Sequence, residues 1–349
     1  MSFNFIHFSI QEFLAAHCVA NLPPEEETKI LKKHFWSKFH YNMFSMYIGL
    51  TKGQRSSFRQ FLADGSTQYL IANKFLAEQK KCIYLYKCFY EAGDSEMCKY
   101  ISEAPVFSGK AINLRGIPLL PSDVSCLGLF LVKSHIKEWK KLDLLSCNIR
   151  DVGCRTLHRA LVVHNDSVTI EDIHLSSNSL TSVSADYISE IAISCKVTLL
   201  YLNGNVLGET NGLSQMLNNA AIEELYMHGN KLHTSTAISL FKALRTSTNA
   251  KLKILSLMYN DIYDEAGNEI GETLKVNRSL ECLWINANPL SGKAALSIMD
   301  ALKFNNTLKL LKLPYYSYNL RKDITREANN INKSRISQGC YVDLCVDFQ

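Results

Sequence analysis

The chain lacks any apolar run of the roughly 20 residues that a membrane-spanning helix needs. It also lacks a basic-then-apolar leader at its start. Both absences lead us to expect a cytoplasmic protein with no membrane span. Its eleven cysteines form no Cys-x-x-Cys pair and no Cys/His cluster at zinc-binding spacing. Cys126, Cys154 and Cys282 sit among apolar neighbours, as reduced buried thiols do. There is no Gly-x-x-x-x-Gly-Lys-Ser/Thr phosphate loop, no Gly-x-Ser-x-Gly, no His-Glu-x-x-His and no paired acids on one scaffold. We therefore expect no enzyme activity, no metal and no cofactor. Charge of one sign is not concentrated either. The net +5 splits into +2 up to Glu103, from 12 basic and 10 acidic residues, and +3 over the rest. No block favours nucleic acid or a membrane surface. Lys137, Lys140 and Lys141 come nearest to a cluster and read as a solvated helix end.

What the chain does have is one pattern stated eight times over residues 109–318. An apolar residue is followed by two of any kind, Leu, one, Leu, two, Asn or Cys, one, and Leu. One copy reads Ile222-x-x-Leu225-x-Met227-x-x-Asn230-x-Leu232. Copies begin at Gly109, Trp139, Ile170, Val197, Ile222, Leu252, Leu280 and, imperfectly, Leu308. The intervals are 30, 31, 27, 25, 30, 28 and 28 residues. Two leucines flanking one residue put both side chains on one face of a short strand. Such a strand cannot bury that face alone, so stacked copies build a parallel sheet with a continuous apolar interior.

The Asn slot serves the sharp turn after each strand, where buried backbone groups need partners. An amide side chain donates and accepts at once. Asn178, Asn205, Asn230, Asn260 and Asn288 hold the slot, Cys147 holds it in the second copy, and Ile117 and Tyr316 hold it in the outermost ones. Between strands the period turns helical. Ala266, Ile270 and Leu274 form one apolar stripe, Ala294, Leu296, Ile298 and Leu302 another, and Leu157, Ala160 and Leu161 a third. Pro121, Ser122 and Asp123 start the first of these helices. Helices are wider than strands, so the stack must curve with its strands inside. At the far end a helix over residues 320–335 precedes a closing strand at residues 341–346, the atypical last unit that a solenoid needs.

This long repeat resembles the ribonuclease-inhibitor class of leucine-rich repeats. The expected fold class is α/β, a leucine-rich-repeat horseshoe with a parallel sheet inside and helices outside, preceded by an all-α helical domain. The residue between the two core leucines points to the concave surface. It is Asn113, Asp143, His174, Tyr201, Tyr226, Ser256, Trp284 and Lys312 in turn, with His228, Met258 and Asn286 two positions further on and Tyr259 close by. Aromatics on a rigid concave face are common anchors of protein recognition. They also stack on one another across strands. We take Asp143, His174, Tyr201, Tyr226, His228, Met258, Tyr259, Trp284 and Asn286 as the candidate protein-binding face.

Ahead of the repeats, Phe3 and Phe5 alternate like a strand edge. Ser9 and Glu12 look like a capping box, with Ile10, Phe13 and Leu14 as the buried stripe of the helix that follows. Phe3, Phe5, His7, Gln11, Glu12, Phe13, Leu14, Ala15 and Ala16 match the F-x-F-x-H-x-x-x-Q-E-F-L-A-A signature of NOD-like receptors, which join a NACHT ATPase to leucine-rich repeats. Gly49-Leu50-Thr51 after Phe44 and Tyr47 is similar to that family's F-x-x-G-L-T segment. The stretch from Cys82 through Leu85, Cys88, Tyr90, Glu91 and Ala92 is similar to its L-h-C-L-Y-E-A helix.

The resemblance divides the chain into the end of a winged-helix unit (1–16), a helical domain (17–104) and a leucine-rich-repeat domain of about eight repeats with a C-terminal cap (105–349). It implies a ligand-sensing, autoinhibitory region of an innate immune receptor, here without its NACHT ATPase. The implied partners are a protein ligand on the concave face and the NACHT domain of a full-length receptor. His7 matches the histidine that reaches the phosphates of bound ATP or ADP, a role that exists only with a NACHT domain upstream; otherwise it caps or packs. The alternative is a free-standing leucine-rich-repeat regulator, either a protein inhibitor or an activator of small GTPases.

Overall fold

The computed structural model describes residues 8–35, 37, 40–64, 79–93, 102, 109–164, 167–219, 221–247, 251–314, 318–336 and 341–346. Phe3, Phe5, His7 and Tyr316 lie outside them. Nine strands form one parallel sheet in strict chain order: β1 Ala111–Asn113, β2 Glu138–Asp143, β3 Thr169–His174, β4 Leu199–Tyr201, β5 Glu224–Tyr226, β6 Ile254–Ser256, β7 Cys282–Trp284, β8 Leu310–Leu313 and β9 Asp343–Val346. The last of them is the expected closing strand, paired to β8. The first core residue of each repeat (Ile112, Leu142, Ile173, Leu200, Leu225, Leu255, Leu283, Leu311) is at most 2% exposed. The sheet is thus a core wall one strand thick, which each repeat extends by the same apolar contacts.

The Asn slot works as a ladder. Asn260 Nδ2 donates to Met227 O (3.1 Å) in the previous turn and to Leu257 O (2.9 Å) in its own. Its Oδ1 accepts from Asn230 N (2.9 Å) and Leu232 N (3.0 Å). Asn178, Asn205 and Asn288 repeat this arrangement. Cys147 keeps part of it, with its thiol 3.0 Å from Leu114 O, and burial pushes that thiol up to about 11. One rung is missing. Asn230 Oδ1 is buried without a hydrogen-bond partner, and it faces the shortest interval in the array, the 25 residues that separate Asn205 from Asn230. The residue before the slot is left-handed in seven repeats: Gly116, Ser146, Ser177, Gly204, Gly229, Tyr259 and Ala287, with φ between 52° and 73°.

A second ladder was not expected from the sequence. Asn277 and Asn305 lie between a helix and the next strand. Asn305 Nδ2 donates to Leu274 O (2.7 Å) in the helix behind, while its Oδ1 accepts from Leu308 N (2.8 Å) ahead. Asn277 does the same with Leu244 O and Leu280 N.

Helices line the outer side: α6 Pro121–Lys133, α7 Arg150–His158 continuing as a π-turn Arg159–Val163, α8 Ala185–Ser194, α9 Gly212–Asn219, α10 Thr234–Thr246, α11 Glu265–Val276, α12 Gly292–Ala301 and α13 Tyr318–Ile336. Pro121 opens α6, and Asp123 Oδ2 accepts from Leu120 N at 2.8 Å. Each helix packs on the next. Helix axes stand about 8–10 Å apart and strands about 4.8 Å apart, so the stack curves around its sheet. Glycine brings α11 close to α12: a Cβ on Gly267 would lie 2.8 Å from that of Ala294. Ala266, Ile270 and Leu274 form the buried stripe of α11 as expected, but Leu296 is 39% exposed. At about 100° per residue it cannot share a face with Ala294 and Ile298, and Ala295 and Met299 fill its place.

Before the repeats come α1 Phe8–Ala20, α2 Pro24–His34, α3 Tyr41–Thr51, α4 Ser56–Ala63 and α5 Gln79–Ala92. Phe35 is their hub, with ring centres of Phe44, Phe58, Phe61 and Tyr84 all within 5.7 Å. Tyr86 meets Phe130 of α6 at 4.8 Å, and Lys87 pairs with Asp123 at 2.8 Å, so one core runs from these helices into the first repeat. Two expectations are corrected. α1 already includes Ser9, so Ser9 is not its cap. Ile10, Phe13 and Leu14 are 53%, 45% and 44% exposed, because α1 rests on its neighbours through Ala16 and Val19 instead. The lysine cluster is corrected as well. Lys137 does close a helix end, donating to Val132 O at 2.6 Å, but Lys140 and Lys141 belong to β2.

The helical core holds one fully buried carboxylate, Glu27, which accepts from Tyr47, Ser57 and Arg55, the last at 2.8 Å. Burial pushes its pKa up, but the hydrogen bonds from Arg55, Ser57 and Tyr47 outweigh burial and hold it below the usual value of 4.5.

Two outcomes follow. Asn260→Ala leaves two backbone amides and two carbonyls without their partner and should cost on the order of 3 kcal/mol in urea unfolding; a loss under about 1 kcal/mol would show that the ladder is not what holds the turns. A carboxyl with a depressed folded pKa contributes stability above its unfolded pKa and loses it as pH falls through the folded one. The urea midpoint should therefore drop below pH 4.5. Glu27→Gln should cost roughly 3 kcal/mol at pH 7, since it leaves Arg55 without its counter-charge, and should flatten that acid limb. An unchanged slope would mean other carboxylates set it.

Candidate protein-binding site on the inner sheet face

The pairing register sets the face. Asn113, Asp143, His174, Tyr201, Tyr226, Ser256, Trp284 and Lys312 are consecutive partners across β1 to β8, one column running the length of the sheet. The column is not a row of separate exposed side chains. The His174 and Tyr201 rings are 4.1 Å apart, Tyr201 and Tyr226 stack at 4.6 Å and 3°, Tyr226 meets Trp284 edge-on at 6.0 Å, and Lys312 Nζ lies 4.3 Å from the centre of the Trp284 ring. Tyr226 reaches Trp284 across a strand because β6 contributes only Ser256, fully buried beneath them. Each ring in the stack is half-buried by its neighbours. Burial pushes the Tyr226 phenol up, and its hydrogen bond to Glu224 (2.8 Å) adds to this. Burial, then Asp172 and Glu224, does the same to Tyr201. Both are neutral donors at physiological pH.

A second column, two residues earlier on each strand, went unnoticed in the sequence. It reads Ala111, Lys141, Asp172, Leu199, Glu224, Ile254, Cys282, Leu310 and Asp343. The signal was there, since strand periodicity places residues i and i−2 on one face. Together the columns divide the face in two. Over β2 and β3 it is ionic: Asp143 meets Arg115 at 3.3 Å and Lys141 at 3.5 Å, and His174 Nε2 meets Asp172 at 3.0 Å. From β4 to β8 it is mostly apolar, with Leu199, Ile254, Cys282 and Leu310 half-exposed beside the aromatic stack and charge only at Glu224 and Lys312 among those positions.

Asp143 and Asn286 are 2% and 5% exposed, so they shape the floor and offer little surface. Met258 and His228 are half-exposed along the downstream side, and burial lowers the His228 pKa. Tyr259 is 65% exposed and sits at φ 52°, in the left-handed turn position that other repeats fill with Gly, Ser or Ala. A bulky residue there is strained by about 1–2 kcal/mol. Among the described residues no His, Cys, Asp or Glu group could hold a metal ion, and no helix is long and apolar enough to cross a membrane.

Tyr259→Gly relieves the strain and should raise stability by about 1 kcal/mol in thermal or urea unfolding. Equal or lower stability would mean that the ring makes compensating contacts.

No protein-family model matches the chain. It is 28% identical over 225 residues to human "Capping protein, Arp2/3 and myosin-I linker protein 3" and 25% identical over 226 residues to the rat protein of that name, covering 62% of this chain and 16% of each relative. It is 24% identical over 217 residues to mouse ribonuclease inhibitor, covering 61% of this chain and 46% of that one. The likeness is of leucine-rich-repeat kind at low identity. The chain thus spans about a sixth of the length of the linker proteins that it matches.

Proposed function

From that leucine-rich-repeat likeness and the geometry of the sheet, we propose that this is a protein-binding repeat domain that receives its partner on the concave face between β4 and β8. The observation that carries the reading is the in-register aromatic stack beside a half-exposed apolar column. A rigid, pre-stacked aromatic surface loses little side-chain entropy on binding, which is how such surfaces anchor partners. Tyr259 adds to it: a strained, exposed aromatic at a turn is costly to the fold and useful only to a ligand.

More specifically, we read the chain as the ligand-sensing, autoinhibitory part of a NOD-like receptor working in innate immune signal transduction. Residues 1–16 would end a winged-helix unit, 17–104 would form the helical domain and 105–349 the repeat domain. The support is the motif resemblance, and beside it the apolar stripe of Ile10, Phe13 and Leu14 left exposed on α1, the kind of surface a preceding domain covers. In that setting His7 contacts the nucleotide of a NACHT domain, and ATP or ADP is bound there and not by this chain. Likeness to ribonuclease inhibitor and to the linker proteins favours a second reading, a free-standing cytoplasmic regulator that inhibits or recruits another protein.

Two measurements separate these. A photo-cross-linking residue at Tyr226 should capture a defined partner that the same residue at Val152, exposed on the outer helix α7, does not; equal capture at both would sink the concave site. Sequencing the transcript's 5′ end should find an in-frame phosphate-loop NTPase, and removing residues 109–349 from the joined protein should raise ATP turnover. Absence of those codons would overturn the receptor reading and leave the free-standing regulator.

A further inference from the structure

The β6–β8 end of the face carries three hydrogen-bond donors in consecutive register positions. Ser256 Oγ and Trp284 Nε1 are both buried and without a hydrogen-bond partner, and Lys312 Nζ has no ion pair among the described residues. Its ammonium lies over the face of Trp284, 4.3 Å from the ring centre. A buried polar group with no partner is costly, and here two lie on facing residues beside a half-buried ammonium. Of the surrounding positions Ile254, Cys282 and Leu310 carry no charge, and Asp343 on β9, paired with Leu310, is the nearest acid of their column. Asp343 makes no ion pair with Lys312 among the described residues, and Glu224, two strands from Trp284 on the other side, already accepts from Tyr226.

An indole N–H and an ammonium only donate, and a serine hydroxyl can donate, so the group that suits all three is acceptor-only. An ionised carboxylate is that group, and its bonds to an ammonium and an indole are charge-assisted. Resting on the concave-face reading, we infer that Trp284 and Lys312, above the buried Ser256 hydroxyl, anchor a carboxylate of the partner protein, an Asp, Glu or chain end flanked by apolar residues that lie on Ile254 and Leu310. Lys312 covers the indole in the unbound protein and moves aside as the carboxylate enters, since an exposed cation–π contact is weak.

The test uses the full chain and its three tryptophans, Trp36, Trp139 and Trp284. The indole N–H signal of Trp284 is assigned by its loss in Trp284→Phe. The protein is then titrated with the peptide Ac-Leu-Glu-Leu-NH2, with its Gln counterpart and with sodium acetate. The Glu peptide should move the Trp284 signal saturably and leave Trp139 in place. The Gln peptide should not, and Lys312→Gln should weaken binding roughly tenfold, as loss of a charge-assisted contact does. Equal response to Glu and Gln, an unchanged affinity in Lys312→Gln, or a shift only at the other indoles would overturn the inference. Saturation by acetate as tight as by the peptide would overturn the partner-segment assignment. Cross-linking at Tyr226 that persists while the peptide fails would remove this anchor alone and leave the concave site standing.

Discussion

A chain that turns sharply inside a dry stack must satisfy every backbone amide and carbonyl at the turn, and this requirement organises the repeat region. Among the described residues no strand is longer than six residues, and the short ones carry only three. Their sheet bonds alone leave the turn unpaired. The Asn ladder closes that gap by tying each turn to its neighbours with two donors and two acceptors per side chain. Because the tie runs between repeats, it also locks the register of the strands. The same register aligns the inner column from Asn113 to Lys312.

The functional face is therefore a by-product of turn chemistry. Identical register brings ring over ring at strand spacing, and Tyr201 and Tyr226 stack because β4 and β5 have no freedom to slide. Where the array departs from regularity, the face changes character. Ser256 in place of an aromatic lets Tyr226 lean over to Trp284, and it leaves a buried hydroxyl without a partner. Tyr259 replaces a small residue at a left-handed turn and projects outward. The one missing rung, at Asn230, falls beneath the middle of the aromatic zone.

The helical half obeys a different constraint. It has no repeat, so its geometry rests on an aromatic hub at Phe35 and on the buried Glu27 with its three donors. Such a polar centre fixes one arrangement of α2, α3 and α4, since any other would leave a charge unpaired in the core. Through Tyr86 and Phe130 this half is joined to the first repeat by packing and not only by the chain.

Much of this was legible in the residues. Spacing alone determined the parallel sheet, its strand order, the outer helices, the Asn ladder and the identity of the inner column, because local periodicity repeated eight times admits one stacking. Tertiary structure decided what periodicity does not encode. It buried Asp143 and Asn286 under their neighbours and turned Ile10, Phe13 and Leu14 outward, because burial depends on which surface arrives to cover a stripe. It turned apparently separate aromatics into a single stack, because ring contact depends on distances across strands far apart in the chain. It also left Ser256 and Trp284 without partners, since a missing hydrogen bond is a property of everything around an atom and of no residue by itself.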